Sequence, residues 1–128
     1  MSYFVDAKEK YDARQTWSRL MPPWETPSDQ LPPVAPVQKL LRALADPVRL
    51  EMVRRLAVDP AAEAPCSDLY EGLNKSTATH HFKVLVEAGV LHPVMVGPSR
   101  GHRLRRSSLQ EAAPGMLDAL MAAMAREG

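Results

Sequence analysis

The chain has 128 residues and a mass of 14.2 kDa, enough for one small domain with extensions around one hydrophobic core. Its single cysteine excludes an intramolecular disulfide framework and suits a reducing compartment, and no apolar run approaches the roughly 20 residues that a membrane span needs. With an N-terminus, MSYFVDAKEKYDARQ, too charged for a signal-peptide core, the expectation is a soluble, cytoplasmic protein without a membrane partner.

Taken in order, Ser2 to Leu20 places Tyr3, Ala7, Tyr11 and Arg14 on one side of a wheel, with Phe4, Trp17 and Leu20 off any continuous stripe. A helix is expected there. Met21 to Pro36 holds six prolines in sixteen residues, a density that opposes helix and sheet and favours an extended, polyproline-like linker. Trp17 and Trp24, the two tryptophans, fall in this N-terminal arm. They either cover a core edge or dock on a partner subunit or ligand pocket.

Val37, Leu40, Leu41 and Leu44 then recur at helical spacing. Asp46-Pro47 restarts a helix, with Asp46 as N-cap and Pro47 at the first helical position, where its missing N–H does no harm. Val48, Met52, Val53 and Leu56 form the buried side of that helix, and Asp59 to Pro65 reads as a loop. Ser67 to Leu73 is expected to be a helix, Asn74-Lys75 a turn, and Ser76 the N-cap of the next helix, which Gly89 ends. On that helix Ala78, Phe82, Leu85 and Val86 share a narrow stripe. Ser76, Thr77, His80 and Lys83 lie opposite, with Thr79 on the flank. This outer face is polar and partly cationic, with no acidic residue until Glu87.

Val90-Leu91 and Val94 to Val96 read as strand, Gly97 to Gly101 as a hairpin loop, and His102 to Arg106 as the return, with Pro93 at a strand start or an unpaired edge. A basic hairpin directly after a helix-turn-helix is a wing. In that arrangement the helix enters the DNA major groove, and the wing lies along the backbone or the adjacent minor groove. Ser108 and Glu111 have the spacing of a capping box. Pro114 either kinks the following helix or starts a new one. Met116, Leu117, Leu120, Met121 and Met124 then form a broad apolar face, rich in methionine, that suggests dimerisation.

The formal net charge of +1 argues by itself against a nucleic-acid partner, but its distribution argues for one. Asn74 to Arg106 contains Lys75, Lys83, Arg100, Arg103, Arg105 and Arg106 against Glu87, a local balance of +5, while residues 1–73 and 107–128 each sum to −2. Segregated charge of this kind is the electrostatic footprint of a DNA-binding patch. The expected fold is mainly α with an α+β wing: a winged helix-turn-helix of about five helices plus a two-stranded β-hairpin. The expected division is an arm at 1–36 and a winged domain at 37–128 that ends in a dimerisation helix.

LRALADPVRLEMVRRL followed by CSDLYEGLNKSTATHHFKVLVEAGVL resembles the ArsR/SmtB-type bacterial winged-helix repressors, over about Leu40 to Arg106. The resemblance implies a homodimer, paired through N- and C-terminal helices, that binds a palindromic operator on double-stranded DNA and is released by an effector. Carried over residue by residue, the family's DNA-reading face falls on Ser76, Thr77, Thr79, His80 and Lys83. Its wing arginines fall on Arg100, Arg103 and Arg105. Trp17, Leu117, Leu120, Met121 and Met124 are the expected dimer contacts.

The departures concern metal. The family's best-known site has two cysteines, one residue apart, just before an Asp-Leu pair; here Pro65-Cys66-Ser67 precedes Asp68-Leu69. A second family site uses Asp and His on the C-terminal helix, and Ser107 to Gly128 has no histidine. Soft-metal binding needs at least three converging thiolate or imidazole ligands. The candidates are Cys66, His80, His81, His92 and His102, of which adjacent His80 and His81 point about 100° apart on a helix. No metal, cofactor or catalytic residue is therefore expected, and the effector is expected to be a small molecule rather than an ion. Cys66 at a helix N-terminus is a redox-sensor candidate only if its thiol pKa is lowered. No phosphate loop, HExxH or nucleophile–base pair is present, so an enzyme is not expected. Two alternatives stay open: a winged-helix module that binds protein, and a metal-responsive repressor with a non-standard site.

Overall fold

The computed structural model describes residues 22–128, so the helix expected at 2–20, with Trp17, lies outside the described residues. Helix α1 (Val37–Leu44) starts directly after Pro36 and buries Leu40, Ala43 and Leu44. Val37 and Leu41, expected on the core stripe, are 64% and 49% exposed. A helix of two turns offers the core one face only, and Ala43 completes it in their place. Helix α2 (Pro47–Val58) starts as its sequence requires: Asp46 Oδ1 accepts from the amides of Val48 at 2.8 Å and Arg49 at 3.1 Å. Met52, Val53 and Leu56 lie on its fully buried side, and Val48 packs against the core from its edge.

The run expected as a loop ends in a strand, β1 (Glu63–Pro65). It pairs antiparallel with β3 (Ser99–Leu104), which also pairs with β2 (Leu91–Val96). The sheet therefore has three strands in the order β1-β3-β2, not two. Three residues are too few to show an alternating pattern, and β1 exists only because β3 offers it a free edge. The hairpin turn is correspondingly short, Gly97-Pro98, and the expected loop residues Ser99 to Gly101 belong to β3. Gly101 serves close approach rather than a turn: a Cβ there would overlap the Ala64 carbonyl oxygen of β1. Pro93 lies in β2, an outer strand.

Between β1 and the next helix the expected Ser67 to Leu73 helix is absent. A single 3-10 turn, Cys66–Asp68, replaces it, and Gly72 at φ +70° precludes helical continuation. So short a segment, with Pro65 before it and Gly72 inside it, gains too few hydrogen bonds to offset nucleation. Helix α3 (Lys75–Glu87) begins one residue before the expected cap Ser76, because Asn74 takes that role and accepts from the Thr77 amide at 2.8 Å. Ala78, Phe82 and Leu85 bury its inner face, and Gly89 at φ +80° follows its end.

Helix α4 (Arg106–Ala112) has no side-chain cap, so the Ser108–Glu111 box does not form. Ser108 is already the third helical residue. Pro114 separates two helices, and α5 (Met116–Glu127) starts after Gly115 at φ +80°. Leu117 is buried in the core of its own chain. Met116, Leu120 and Met121 pack against that core while half-buried, and Met124 is half-buried at the outer end.

Residues 22–36 are held against the winged fold rather than extended away from it. Two single 3-10 turns, Pro23–Glu25 and Ser28–Gln30, interrupt the expected polyproline run. Leu31 is buried, the Ala35 amide donates to the Ala88 carbonyl at 3.0 Å, and a His92 ring nitrogen lies 3.2 Å from the Thr26 carbonyl. A side chain at Gly89 would meet the Pro33 carbonyl oxygen at 2.5 Å, so this glycine also admits the passing backbone.

Candidate nucleic-acid interface

The capped start of α3 and its three buried anchors orient the rest of the helix outward. Ser76, Thr79, His80 and Lys83 are exposed, and Thr77 is half-buried. The Ser76 hydroxyl donates to Asn74 Oδ1 at 3.2 Å and that of Thr79 to the Lys75 carbonyl at 2.8 Å. Both keep oxygen lone pairs free to accept from a ligand. His81 is turned away from this face, with Nδ1 3.0 Å from a terminal nitrogen of Arg49. The helix carries no acidic side chain before Glu87, so the face offers hydroxyl, imidazole and cationic groups and no negative charge.

The wing arginines have three different environments. Arg100 is exposed near the hairpin turn, its guanidinium carbon 4.4 Å from the centroid of the Trp24 ring, a cation–π distance. Arg103 is bound to Glu63 across the β1–β3 pair, at 2.7 Å and 2.9 Å. Arg105 points inward and donates to the carbonyls of Pro32 at 2.6 Å and Gly89 at 3.1 Å. Burial lowers its pKa from the usual arginine value. Lys75, Thr79, Lys83 and Arg100 thus line one cleft, which neither Arg103 nor Arg105 lines. Lys75, expected in a turn, is the addition. The signal for it was Asn74, as good an N-cap as Ser76, which moves the helix start forward by two residues.

Of the candidate soft-metal ligands, Cys66 and His102 meet, Sγ to Nδ1 at 3.6 Å. Among the described residues no group of three or more His, Cys, Asp or Glu side chains converges on a point. Burial raises the Cys66 thiol pKa, more than the nearby Arg100 and Lys75 charges lower it. The helix-terminus effect needed for a reactive thiolate is absent, since only a single 3-10 turn follows. No described helix is long and apolar enough to cross a membrane.

A polar, cationic helix standing out from a small helical core, followed at once by a β-hairpin, defines a winged helix-turn-helix protein. A family profile described as a helix-turn-helix domain matches residues 44–94. An uncharacterized HTH-type transcriptional regulator, YceK of Bacillus subtilis (strain 168), is 34% identical over 84 residues, which cover 64% of this chain and 83% of the relative. Among solved structures, an ArsR-like transcriptional regulator from Rhodococcus sp. RHA1 aligns with a TM-score of 0.50 and 22% identity, over 71% of this chain and 84% of that one. A possible transcriptional regulator for arsenical resistance aligns at 0.49 and 23%, over 69% and 94%. The chain belongs to the HTH-type transcriptional regulators, and its fold is similar to that of the ArsR-like structure.

Proposed function

We propose that the protein is a homodimeric repressor that binds a palindromic operator through α3 and the wing and is relieved by a non-metal effector. The observation that carries this reading is the outer face of α3, where Ser76, Thr79, His80 and Lys83 are exposed together without a carboxylate among them. In this reading Ser76, Thr77, Thr79, His80 and Lys83 meet base edges and flanking phosphates, and Arg100 lies on the backbone. Arg103 joins it when Glu63 lets go, whereas Arg105, expected on the wing, holds the arm. The protein acts in the cytoplasm and catalyses no reaction.

The dimer in this reading forms through α5. Leu120, Met121 and Met124 meet their copies, while Leu117 ties the helix to its own core. Exposed Val37 and Leu41 of α1 are further apolar surface for the same interface. Trp17 is assigned to this seam, while residues 22–36 of the 1–36 arm pack on the winged domain, 37–128, of their own chain. The two recognition helices must then stand about 34 Å apart to enter successive major grooves.

Footprinting upstream of the protein's own gene, with salt titration, tests the reading. Lys75, Lys83 and Arg100 offer about three phosphate contacts per subunit, so a dimer should show a log–log slope near −5. A protected palindrome with that slope is expected. Binding without salt dependence, or capture of an acidic protein with no DNA affinity, refutes it and favours a protein-interaction module.

A further inference from the structure

Between the arm, the wing and α3 lies a cleft of about 1470 Å³. Its floor reaches the core, since Leu31, Phe82, Val94 and His102 line it and are each less than one-tenth exposed. Trp24 and Tyr70 add two more aromatic rings, Tyr70 edge-on to Phe82 at 6.3 Å. Charged lining residues are Lys39, Lys75, Lys83 and Arg100 against Glu87, a strong positive excess.

The two halves of this lining ask for different chemistry at once. An inorganic anion or a bare phosphate would satisfy the cations and leave the aromatic floor facing water. A neutral hydrocarbon would cover the floor and leave the cations without a partner. A molecule with a planar apolar body and an anionic group answers both. We propose that the cleft binds a small aromatic carboxylate, its ring against Phe82, His102 and Trp24 and its carboxylate toward Lys83 and Arg100. The cleft is larger than the roughly 300–1,000 Å³ of a drug-sized site, so such a ligand fills its inner part and leaves the mouth open. Arg100 rests over the Trp24 ring, its guanidinium carbon 4.4 Å from the centroid, which places a group able to bind a carboxylate bidentately at the aromatic edge of the cleft.

The site has a regulatory consequence that rests on the DNA-binding reading above. Thr79, Lys83 and Arg100 belong both to the cleft and to the face proposed for DNA. A carboxylate held by Lys83 and Arg100 removes two of about three phosphate contacts per subunit, and by linkage DNA weakens the ligand by the same factor.

Calorimetric titration of the full chain with benzoate, 2-naphthoate and indole-3-acetate, each beside its neutral alcohol, tests the site. Binding of at least one acid is expected, with its alcohol at least tenfold weaker. The double variant Lys83→Gln, Arg100→Gln should lose about tenfold for the acid and nothing for the alcohol. Methyl resonances of Leu31, Val86 and Val94 should shift with the acid; a circular-dichroism spectrum shows that the variant is folded. The proposal is overturned if no acid binds, if acid and alcohol bind alike, or if the shifts fall outside the cleft. Gel shifts without ligand are run in parallel. DNA binding without acid binding removes the site and keeps the regulator, and acid binding without DNA binding does the reverse.

Discussion

The imidazole of His102 stacks on the ring of Phe82, centroids 4.4 Å apart and planes within 17° of parallel. The stack joins the central strand of the sheet to the inner face of α3, and so sets how that helix sits on the hairpin. Burial, and secondarily the nearby His92 charge, push the His102 pKa down to about 4. The ring is therefore neutral in the folded protein across the physiological range. The unfolded chain, with an ordinary histidine near 6.5, takes up the proton first as pH falls. Stability is full above about pH 6.5 and declines toward pH 4, by up to about 3 kcal/mol from this group. Urea denaturation at pH 7.5 and 4.5 measures the loss. His102→Phe should reduce the difference between the two pH values, leaving the part that His92, its pKa also lowered by burial, contributes with the same sign. Equal pH dependence in both proteins would disprove the assignment.

Asn74 and Ser76 make a second test, because only one of them caps α3. Asn74→Ala removes the acceptor for the Thr77 amide and should cost about 1 kcal/mol. Ser76→Ala should change thermal stability by less than half of that while lowering operator affinity. A larger destabilisation from Ser76→Ala would restore it as the cap.

Arg105 is expected to act on the arm. Arg105→Ala leaves the Pro32 and Gly89 carbonyls without their charged donor and should destabilise by about 1–3 kcal/mol. It should also speed proteolysis within 22–36, and leave the salt slope of DNA binding unchanged. Arg100→Ala should do the opposite, reducing the slope by about two for a dimer with little effect on melting.

His80→Ala should lose discrimination between operator and random DNA by roughly 1–3 kcal/mol for a lost base contact. Arg103→Ala should weaken both about equally, since a phosphate contact carries no sequence information. Its exposed pair with Glu63 adds at most about 1 kcal/mol to folding. Competition gel shifts compare the two variants, and identical behaviour would reject this division of roles.

How far the sequence reaches depends on the range of the interactions concerned. The Asp46-Pro47 helix start, the buried stripe Ala78-Phe82-Leu85, the Gly89 stop and the outward polar face are set by atoms within a few residues of one another. They were legible, and they led to the winged helix-turn-helix fold. The Ser67 to Leu73 helix and the Ser108 box were misread for a related reason: a plausible local signal carries too little energy to form a structure in so short a segment.

By itself, then, the sequence determined the helix that starts at Asp46-Pro47, the helix that Gly89 follows and the faces these two bury, because hydrophobic periodicity and capping act over one or two helical turns. Only the tertiary structure decided the rest. Strand β1 is too short to declare itself and needs the edge of β3. Arg100, Arg103 and Arg105 look alike in sequence. They separate only when Trp24, Glu63 and the Pro32 carbonyl, 76, 40 and 73 positions away, come into reach. The cleft floored by Phe82 and His102 arises the same way, from segments whose proximity no local pattern encodes.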